Sequence, residues 1–422
     1  MAETSVRFVA LDLHKDYVML AALDAQQQVV LAPRRVLLPQ FDGWAKRHLR
    51  PTDQVVLEAT TNGWYVHDLL QPLVARVVVA DPAKAKAKMG LPVKTDRRDT
   101  LGLAELLVTN TVPVVWVPPP PVRELRSLIA HRRQLVQQRR AAKNRLRSLL
   151  QRHQIVPPDG QVFALVHRDW WTNLPLSPTE HLRTSQDLAT IDHFGGLIAE
   201  TERELARLST CAPWADMVPW LIQLAGVGLI TAMTILSAVG DITRFPSAKQ
   251  LVGYSGLGAK IHASGQTHHS GGITKKGRTE LRAALVEAAW AAVRWSAHWQ
   301  QRFERLAGRI GSAKAIVAIA RKLLVSIWHV LSDRVSDRDA EAPAVARRLL
   351  HWGARHGVAT GLGLSRAAFI RQHLDRLGIG QDLDVLDYNR ARLQLGPGCR
   401  SPTGQPPDAV GATPLSGCVI AT

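Results

Sequence analysis

Four carboxylates stand where a fold could gather them: Asp12, Glu58, Asp96 and Asp99, the last two three residues apart in KTDRRDTLGLAELL. Three residues is nearly one helical turn, so Asp96 and Asp99 share a face if that stretch is helical. Carboxylates brought together repel one another unless a divalent cation relieves them. Oxygen ligands suit Mg2+ or Mn2+, which can polarise a phosphate and position an attacking oxygen. A second stretch with chemical potential runs from Gly253 to Arg282, GYSGLGAKIHASGQTHHSGGITKKGRTELR. It sets Ser264 beside a glycine and ahead of His268, His269, Lys275, Lys276, Arg278 and Arg282, while Gly271 and Gly272 let backbone amides approach a ligand. A hydroxyl in a basic, glycine-punctuated loop is what attack on a phosphodiester needs, and Ser255 and Ser270 offer the same group; the window alone favours a polar hairpin that touches nucleic acid without chemistry, since serines are common in loops.

The acids need elements to hold them. Residues 5–12, 17–23 and 28–37 read as three strands joined by short polar turns, followed by a helix near 40–49. A strand at 54–58, a helix at 63–74, a strand at 75–80, a basic alanine-rich loop and a helix at 96–108 complete the order βββαβαβα. That is the order of the ribonuclease-H-like fold. Asp12 then closes the first strand, Glu58 closes the fourth, and Asp96 and Asp99 open a helix. Each acid alone has an ordinary account: Asp96 as an N-cap, Asp99 as a first-turn acid, Glu58 as a strand-end surface residue. Four at positions set by one fold favour a metal site.

The chain has 422 residues, enough for roughly two to four domains. Its 53 Lys+Arg against 35 Asp+Glu leave a formal charge of +18, which makes a polyanion, nucleic acid first, the expected partner. The three cysteines, Cys211, Cys399 and Cys418, form no CxxC pair and no zinc-spaced cluster, so neither a disulfide framework nor structural zinc is expected, and a reducing, cytoplasmic setting fits. The N-terminus lacks the pattern of a signal peptide. Between Asp216 and Asp241 no charged residue occurs, yet polar residues and the Gly226-Val227-Gly228 turn divide the segment, so no membrane span is expected.

Pro118–Pro121 reads as a rigid spacer. Residues 122–154 form an expected long helix with ten cations, among them Arg132, Arg133, Arg139, Arg140 and Lys143, against one acid, Glu124. Its leucine stripe suits packing on a second helix over 179–209 as a coiled-coil arm, with the basic face laid on phosphates. Trp170 and Trp171 suit core packing or a dimer contact better than base stacking. Residues 221–244 read as helix, GVG turn, helix. In this helix-hairpin-helix pattern Gly226, Gly228 and the following helix N-terminus hold a phosphate without reading bases, and an ordinary helical hairpin accounts for the segment equally well. A helix over 279–297 anchors the basic loop through Leu281, Leu285 and Ala288, and another spans 312–332. Residues 341–395 read as helical, and the stretch from Gly396, rich in Pro, Gly, Ser and Thr, as disordered.

Together these residues resemble the insertion-sequence transposases of the DEDD/serine type, the IS-one-ten group, a family of bridge-RNA-guided recombinases. The resemblance rests on FVALDLHKD, VVLEATTNGWY and KTDRRDTLGLAELL, then on LAGVGLITAMTILSAVGDITRF, GYSGLGAKIHASG and GGITKKGRTELR, and covers roughly residues 6–332. It implies a RuvC-like acidic tetrad at Asp12, Glu58, Asp96 and Asp99 that binds metal. It also implies a nucleophilic serine at Ser264, a covalent phosphoserine intermediate on DNA, a noncoding RNA that pairs with donor and target DNA, and dimers that assemble into a tetramer. The expected domains are a RuvC-like domain at 1–117, a proline linker and basic coiled-coil region at 118–212, and a mainly helical serine transposase domain with a helix-hairpin-helix at 213–332. A helical extension at 333–395 and a tail at 396–422 complete the chain. Two features depart from the family pattern: Gly258-Ala259 follows Leu257 where a proline is common, and the chain continues past Asp333. Lys275, Lys276, Arg278 and Arg282 would offset phosphate charge beside Ser264. The competing readings are a metal-dependent nuclease or junction resolvase that uses water, and a non-catalytic nucleic-acid-binding protein on a decayed nuclease fold.

Overall fold

The computed structural model describes residues 6–90, 95–264, 267–388 and 391–398, with the backbone alone for residues 261–264 and 267–270. The chain forms two compact units that meet in sequence at Pro119 and Pro120.

The first unit is α/β. Strands β1 (Phe8–Leu13), β2 (Tyr17–Leu23) and β3 (Val29–Leu37) lead into α1 (Leu38–His48), then β4 (Gln54–Glu58), α2 (Gly63–Leu70) and β5 (Arg76–Ala80). Helices α3 (Pro82–Met89) and α4 (Asp96–Val108) follow. The sheet order is β3-β2-β1-β4-β5, with β1 antiparallel to β2 and parallel to β4. Side chains alternate faces along a strand, and here both faces are covered. Val9, Leu11 and Leu57 pack with Phe41, Trp44, Val66 and Leu70 on one face. Ala10, Val56 and Val78 pack with Ala85, Leu103, Ala104 and Leu107 on the other. By the same alternation Asp12 continues the face of Ala10, and Glu58 that of Val56. Both acids therefore lie on the face that α4 covers. The edge strand β3 carries Pro33, Arg34 and Arg35, which block further strand pairing.

The segment expected as a basic loop is the helix α3. Asp81 caps it, its side chain accepting from the Lys84 amide at 3.1 Å, Pro82 sits in its first turn, and Gly90 ends it in the left-handed region. It buries only Ala85, so it shows no apolar stripe.

The second unit is mostly helical. The long helix α5 (Pro120–Arg152) is followed by the short α6 (Arg168–Thr172) and by α7 (Pro178–Leu208). Arg132 pairs with Glu202, Arg145 with Asp187 and His153 with Glu180, so α5 and α7 run antiparallel. Trp171 is buried between them, donating its indole N–H to Val162 O at 2.8 Å, which settles this tryptophan as core. Then come α8 (Val218–Ile222), α9 (Leu229–Val239), α10 (Ala248–Ser255) and a hairpin of β6 (Ala259–Ser264) and β7 (Thr267–Ile273). Helices α11 (Thr279–Trp295), α12 (Ala297–Ile310) and α13 (Ser312–Ser332) pack together. The uncharged stretch from Asp216 to Asp241 is thus divided between α8 and α9. By length and composition α13 could cross a membrane, but its face from Ala315 to Leu331 is buried against neighbouring helices.

Beyond it lie α14 (Ala342–Ala354), the single turn α15 (Val358–Gly361) and α16 (Arg366–Leu377). Strands β8 (Val385–Tyr388) and β9 (Ala391–Gln394) close the described chain. Residues 385–388 and 391–394 are thus paired antiparallel strands, not the helix expected there; alternation in VLDY buries Leu386 and exposes Asp387.

The GVG turn is held by close packing. At Gly226 φ is +80°, and a Cβ there would lie 2.1 Å from Ala288 O and 2.7 Å from Ala292 N on the α11 backbone. Gly226→Ala is expected to cost about 2–3 kcal/mol of stability, read as a lowered midpoint of thermal unfolding. An unchanged midpoint would show that α11 yields freely.

Candidate active site and nucleic-acid interface

Asp12 is next to last in β1 and Glu58 last in its parallel neighbour β4, and their pairing runs to Leu11 and Leu57. Asp96 and Asp99 occupy the first turn of α4, capped by Thr95, and Leu103 one turn further anchors that face in the core. All four carboxylates line one cavity of about 240 Å³ with His14, Lys86, Met89 and Leu103. The tetrad expected from sequence is thus brought together.

Two residues at this site escaped the sequence reading. His14 Nε2 lies 3.1 Å from Asp12 Oδ2 and 3.4 Å from Asp96 Oδ2, and the Tyr17 hydroxyl donates to Asp96 Oδ2 at 2.9 Å. The His14 and Tyr17 rings stack at 4.4 Å, and the Arg35 guanidinium covers Tyr17 at 3.8 Å. A signal was present in LDLHKD, since His14 follows Asp12 by two and shares its side of the chain. The hydrogen bond to Asp96 holds the Tyr17 phenol above its ordinary range.

Burial pushes the Asp12 carboxyl up, His14 opposes that, and Asp96 and Asp99 add to it. Such a cluster favours neutralisation by a proton or by a bound cation. Ligating atoms of Asp12, His14 and Asp96 all lie within 4.8 Å of one another. This mostly carboxylate donor set fits a hard divalent ion, with imidazole as an additional donor.

Ser264 ends β6, its backbone paired with Thr267 of β7. The Ser264, His268, His269 and Ser270 side chains lie outside the described residues. The base of the hairpin is tightly built. A Cβ on Gly277 would lie 2.1 Å from Tyr254 O, and one on Gly256 2.5 Å from Lys276 O. Arg282 donates to Ser255 O at 3.1 Å. Ser255 itself is buried, and its hydroxyl donates to Val252 O at 2.8 Å, so it has no access to a phosphodiester. Lys275 and Lys276 are exposed at the hairpin's exit.

Arg278 is turned inward. Its Nε donates to the Tyr254 hydroxyl at 3.2 Å, and that hydroxyl donates to Ala238 O at 3.2 Å. Arg126 donates to Ser237 O and Ala238 O, and Arg244 to Val239 O, so arginines collect the carbonyls at the end of α9. Burial pushes the Tyr254 phenol up, but Arg278, Arg126 and Arg244 outweigh it and hold it below its ordinary range. Burial pushes Arg126 down to about 10, with Arg278 adding to the effect.

The α5 cations divide in the same way. Arg132 is bound to the nearly buried Glu202, which also pairs with Arg355 at 2.6 Å, and Arg133 pairs with Glu280 at 3.2 Å. Burial acts to raise the Glu202 carboxyl, yet the two arginines hold it below the ordinary range. Glu202→Gln is therefore expected to weaken the α5–α7 contact by about 1–3 kcal/mol at neutral pH. The wild type would lose that advantage as pH falls through the depressed carboxyl range; equal midpoints for both proteins at neutral pH would contradict it. Arg140 is exposed, while Lys143 and Arg147 stand over the Phe163 ring, each at 5.3 Å. Arg145, in the same half of α5, is engaged by Asp187. Gly226 faces α11, whereas Gly228 is exposed at the start of α9.

Comparison with known proteins agrees with this arrangement. The DEDD transposase model of the IS110 type matches residues 9–155, which contain all four acids. The transposase IS116/IS110/IS902 family model matches residues 219–304, which contain the GVG turn and Ser264. A transposase of Sinorhizobium fredii, y4qE, is 29% identical over 292 residues, 69% of this chain and 72% of its own. The transposase for insertion sequence element IS1111A of Coxiella burnetii is 25% identical over 348 residues, 78% of this chain and 90% of its own. A pilin gene-inverting protein of Moraxella bovis is 32% identical over 145 residues, 33% of this chain and 45% of its own. Two models of one family, each matched over the segment that holds its own chemical groups, and relatives along most of the length place the chain: it belongs to the IS110 family of transposases, enzymes of DNA recombination.

Proposed function

We propose that this transposase cuts and rejoins DNA through a phosphoserine at Ser264, assisted by Asp12, Glu58, Asp96 and Asp99 on an ribonuclease-H-like, RuvC-like domain. The convergence of the four carboxylates in one cavity carries the proposal, and the sheet order with α4 across the end of β1 supports it. Asp12, Asp96 and Asp99, with Glu58, would hold Mg2+ or Mn2+; a bound ion would offset charge developing on a phosphate.

In the first step the Ser264 oxygen bonds to phosphorus while a phosphorus–oxygen bond of the DNA breaks. The serine proton passes to a basic acceptor, and the departing deoxyribose oxygen takes up a proton. Attack by a deoxyribose hydroxyl of the new partner strand reverses those bond changes and frees Ser264. Lys275 and Lys276 would balance the phosphate charge, while Arg278 and Arg282 act indirectly by fixing the hairpin base. The acids belong to the first compact unit and Ser264 to the second, and the protein would act as dimers that assemble into a tetramer.

A backbone phosphate would lie at Gly226–Gly228 in a helix-hairpin-helix, and others along Arg139, Arg140 and Lys143 on the coiled-coil arm. Sequence choice would come from a noncoding guide RNA paired with element ends and target, in the cytoplasm. The test is recombination between plasmids carrying the element ends and a target, with and without RNA transcribed from the DNA flanking the gene. RNA-dependent joint molecules are expected; equal joining without RNA would contradict guidance. One observation favours a second reading: the acid cavity is complete within the first unit, as a water-using nuclease would need. Cleavage giving free phosphate ends and no protein-linked DNA would select that reading.

A further inference from the structure

The C-terminal extension closes a cationic cavity within the second unit. This cavity, of about 510 Å³, is lined by the GVG turn and the start of α9, by Trp295 at the end of α11, and by Arg347, Arg348, His351 and Arg355 on and just after α14. Residues 342–355 lie outside both segments matched by the family models.

Its groups differ in what they are free to do. Arg348 is committed to the end of α8, donating to Ile222 O and Gln223 O, and fixes α14 against it. Arg355 is shared with Glu202. Arg347 and His351 are exposed, and no acidic side chain is among the residues that line the cavity. Trp295 is 79% exposed, and it also borders a neighbouring cavity with Trp290 and Arg294. With the half-exposed Trp290 it makes a contiguous aromatic patch, and it is such patches that mark contact surfaces. At the floor, no side chain caps α9 at Gly228, so the first amides of that helix also face anionic ligands.

The geometry points to an unpaired nucleotide of a single-stranded nucleic acid as the occupant: its phosphate on Arg347, His351 and the α9 amides, its base stacked on Trp295. The volume falls in the range of about 300–1,000 Å³ typical of small-ligand sites. A cationic groove beside an aromatic face is the general architecture for binding single strands. A duplex keeps its bases stacked inside, so it would engage the cations and the turn but not the Trp295 face. This inference rests on the reading of the GVG turn as a phosphate seat, and α14 is the element that turns that seat into a pocket.

The test is fluorescence anisotropy of the full chain with three labelled probes at one salt concentration: a short oligothymidine, the matching oligouridine and a short blunt duplex. Trp295→Ala, at an exposed position, should weaken the single-stranded probes roughly tenfold and leave the duplex nearly unchanged. Arg347→Ala should weaken all three. Whichever single strand the wild type binds tighter identifies the source as DNA or RNA, and either order supports the pocket. Gly228→Asp examines the seat separately. A Cβ there meets nothing within 4 Å, and aspartate is a favoured N-cap, so the fold is kept while a carboxylate replaces the phosphate. If Gly228→Asp changes nothing while Trp295→Ala still weakens single strands, the phosphate seat is wrong and the Trp295 contact stands. Single-strand affinities unchanged by both Trp295→Ala and Arg347→Ala would overturn the pocket, and the same result with a changed oligomeric state would assign the face to protein contact.

Discussion

Ser264→Ala is expected to bind element DNA as the wild type does and to yield no protein–DNA species that survives denaturation. Removing a nucleophile while the rest of a site remains has cost on the order of 10^6-fold in a serine hydrolase. Ser255 cannot stand in, because it is buried and its hydroxyl is committed to Val252 O. Affinity should be preserved because phosphate contacts by exposed cations, Lys275 and Lys276 among them, dominate binding and do not involve the hydroxyl. The measurement is a denaturing gel of labelled DNA beside a binding titration. An adduct formed by the variant would remove Ser264 from its role.

Asp12→Asn should lower strand cleavage by at least ~10²–10³-fold, the loss typical of removing one group that stabilises transition-state charge. It should also change stability in a direction a surface aspartate would not. Burial first, then Asp96 and Asp99, hold the Asp12 carboxyl above the ordinary range despite His14. The folded protein without metal therefore binds that proton more readily than the unfolded chain. Its stability falls as pH rises from the ordinary carboxylate range through the raised one. Neutral Asn removes that penalty, so in chelator the variant should melt no lower than the wild type at neutral pH, and higher if the carboxylates repel as the geometry indicates. The wild type should gain on adding Mg2+ or Mn2+, and the variant should lose most of that gain. Equal gains in both proteins would place the ion elsewhere.

The acids were legible because their positions obey short periods. Asp12 shares a face with Ala10, Glu58 with Val56, and Asp96 with Asp99 and Leu103, so a strand period of two and a helix period near 3.6 decide where they point. His14 obeyed the same rule and was passed over, because a histidine beside an aspartate has many other uses. Tyr17 reaches Asp96 across 79 residues of chain, a pairing no local pattern encodes. The α3 helix has its caps in sequence but almost no apolar face, so hydrophobic periodicity was faint there. The charge of α5 was legible as a sum but not in its division. Arg132 and Arg126 meet partners 70 and 111 residues away, and only folding shows which arginines hold the protein together and which remain for phosphate. The basic cavity at Trp295 joins α9, α11 and α14 from three distant stretches, and for that reason lay beyond sequence reasoning.

The most direct test of the central claim is to trap the wild-type protein on cognate DNA with its RNA, digest the denatured complex and identify the peptide that retains nucleotide. The account predicts one DNA-linked peptide, carrying the modification on Ser264, formed only when divalent cation is present and absent from Asp12→Asn. A nucleotide-linked peptide from another part of the chain, or cleaved DNA with free phosphate ends and no linked peptide, would contradict it.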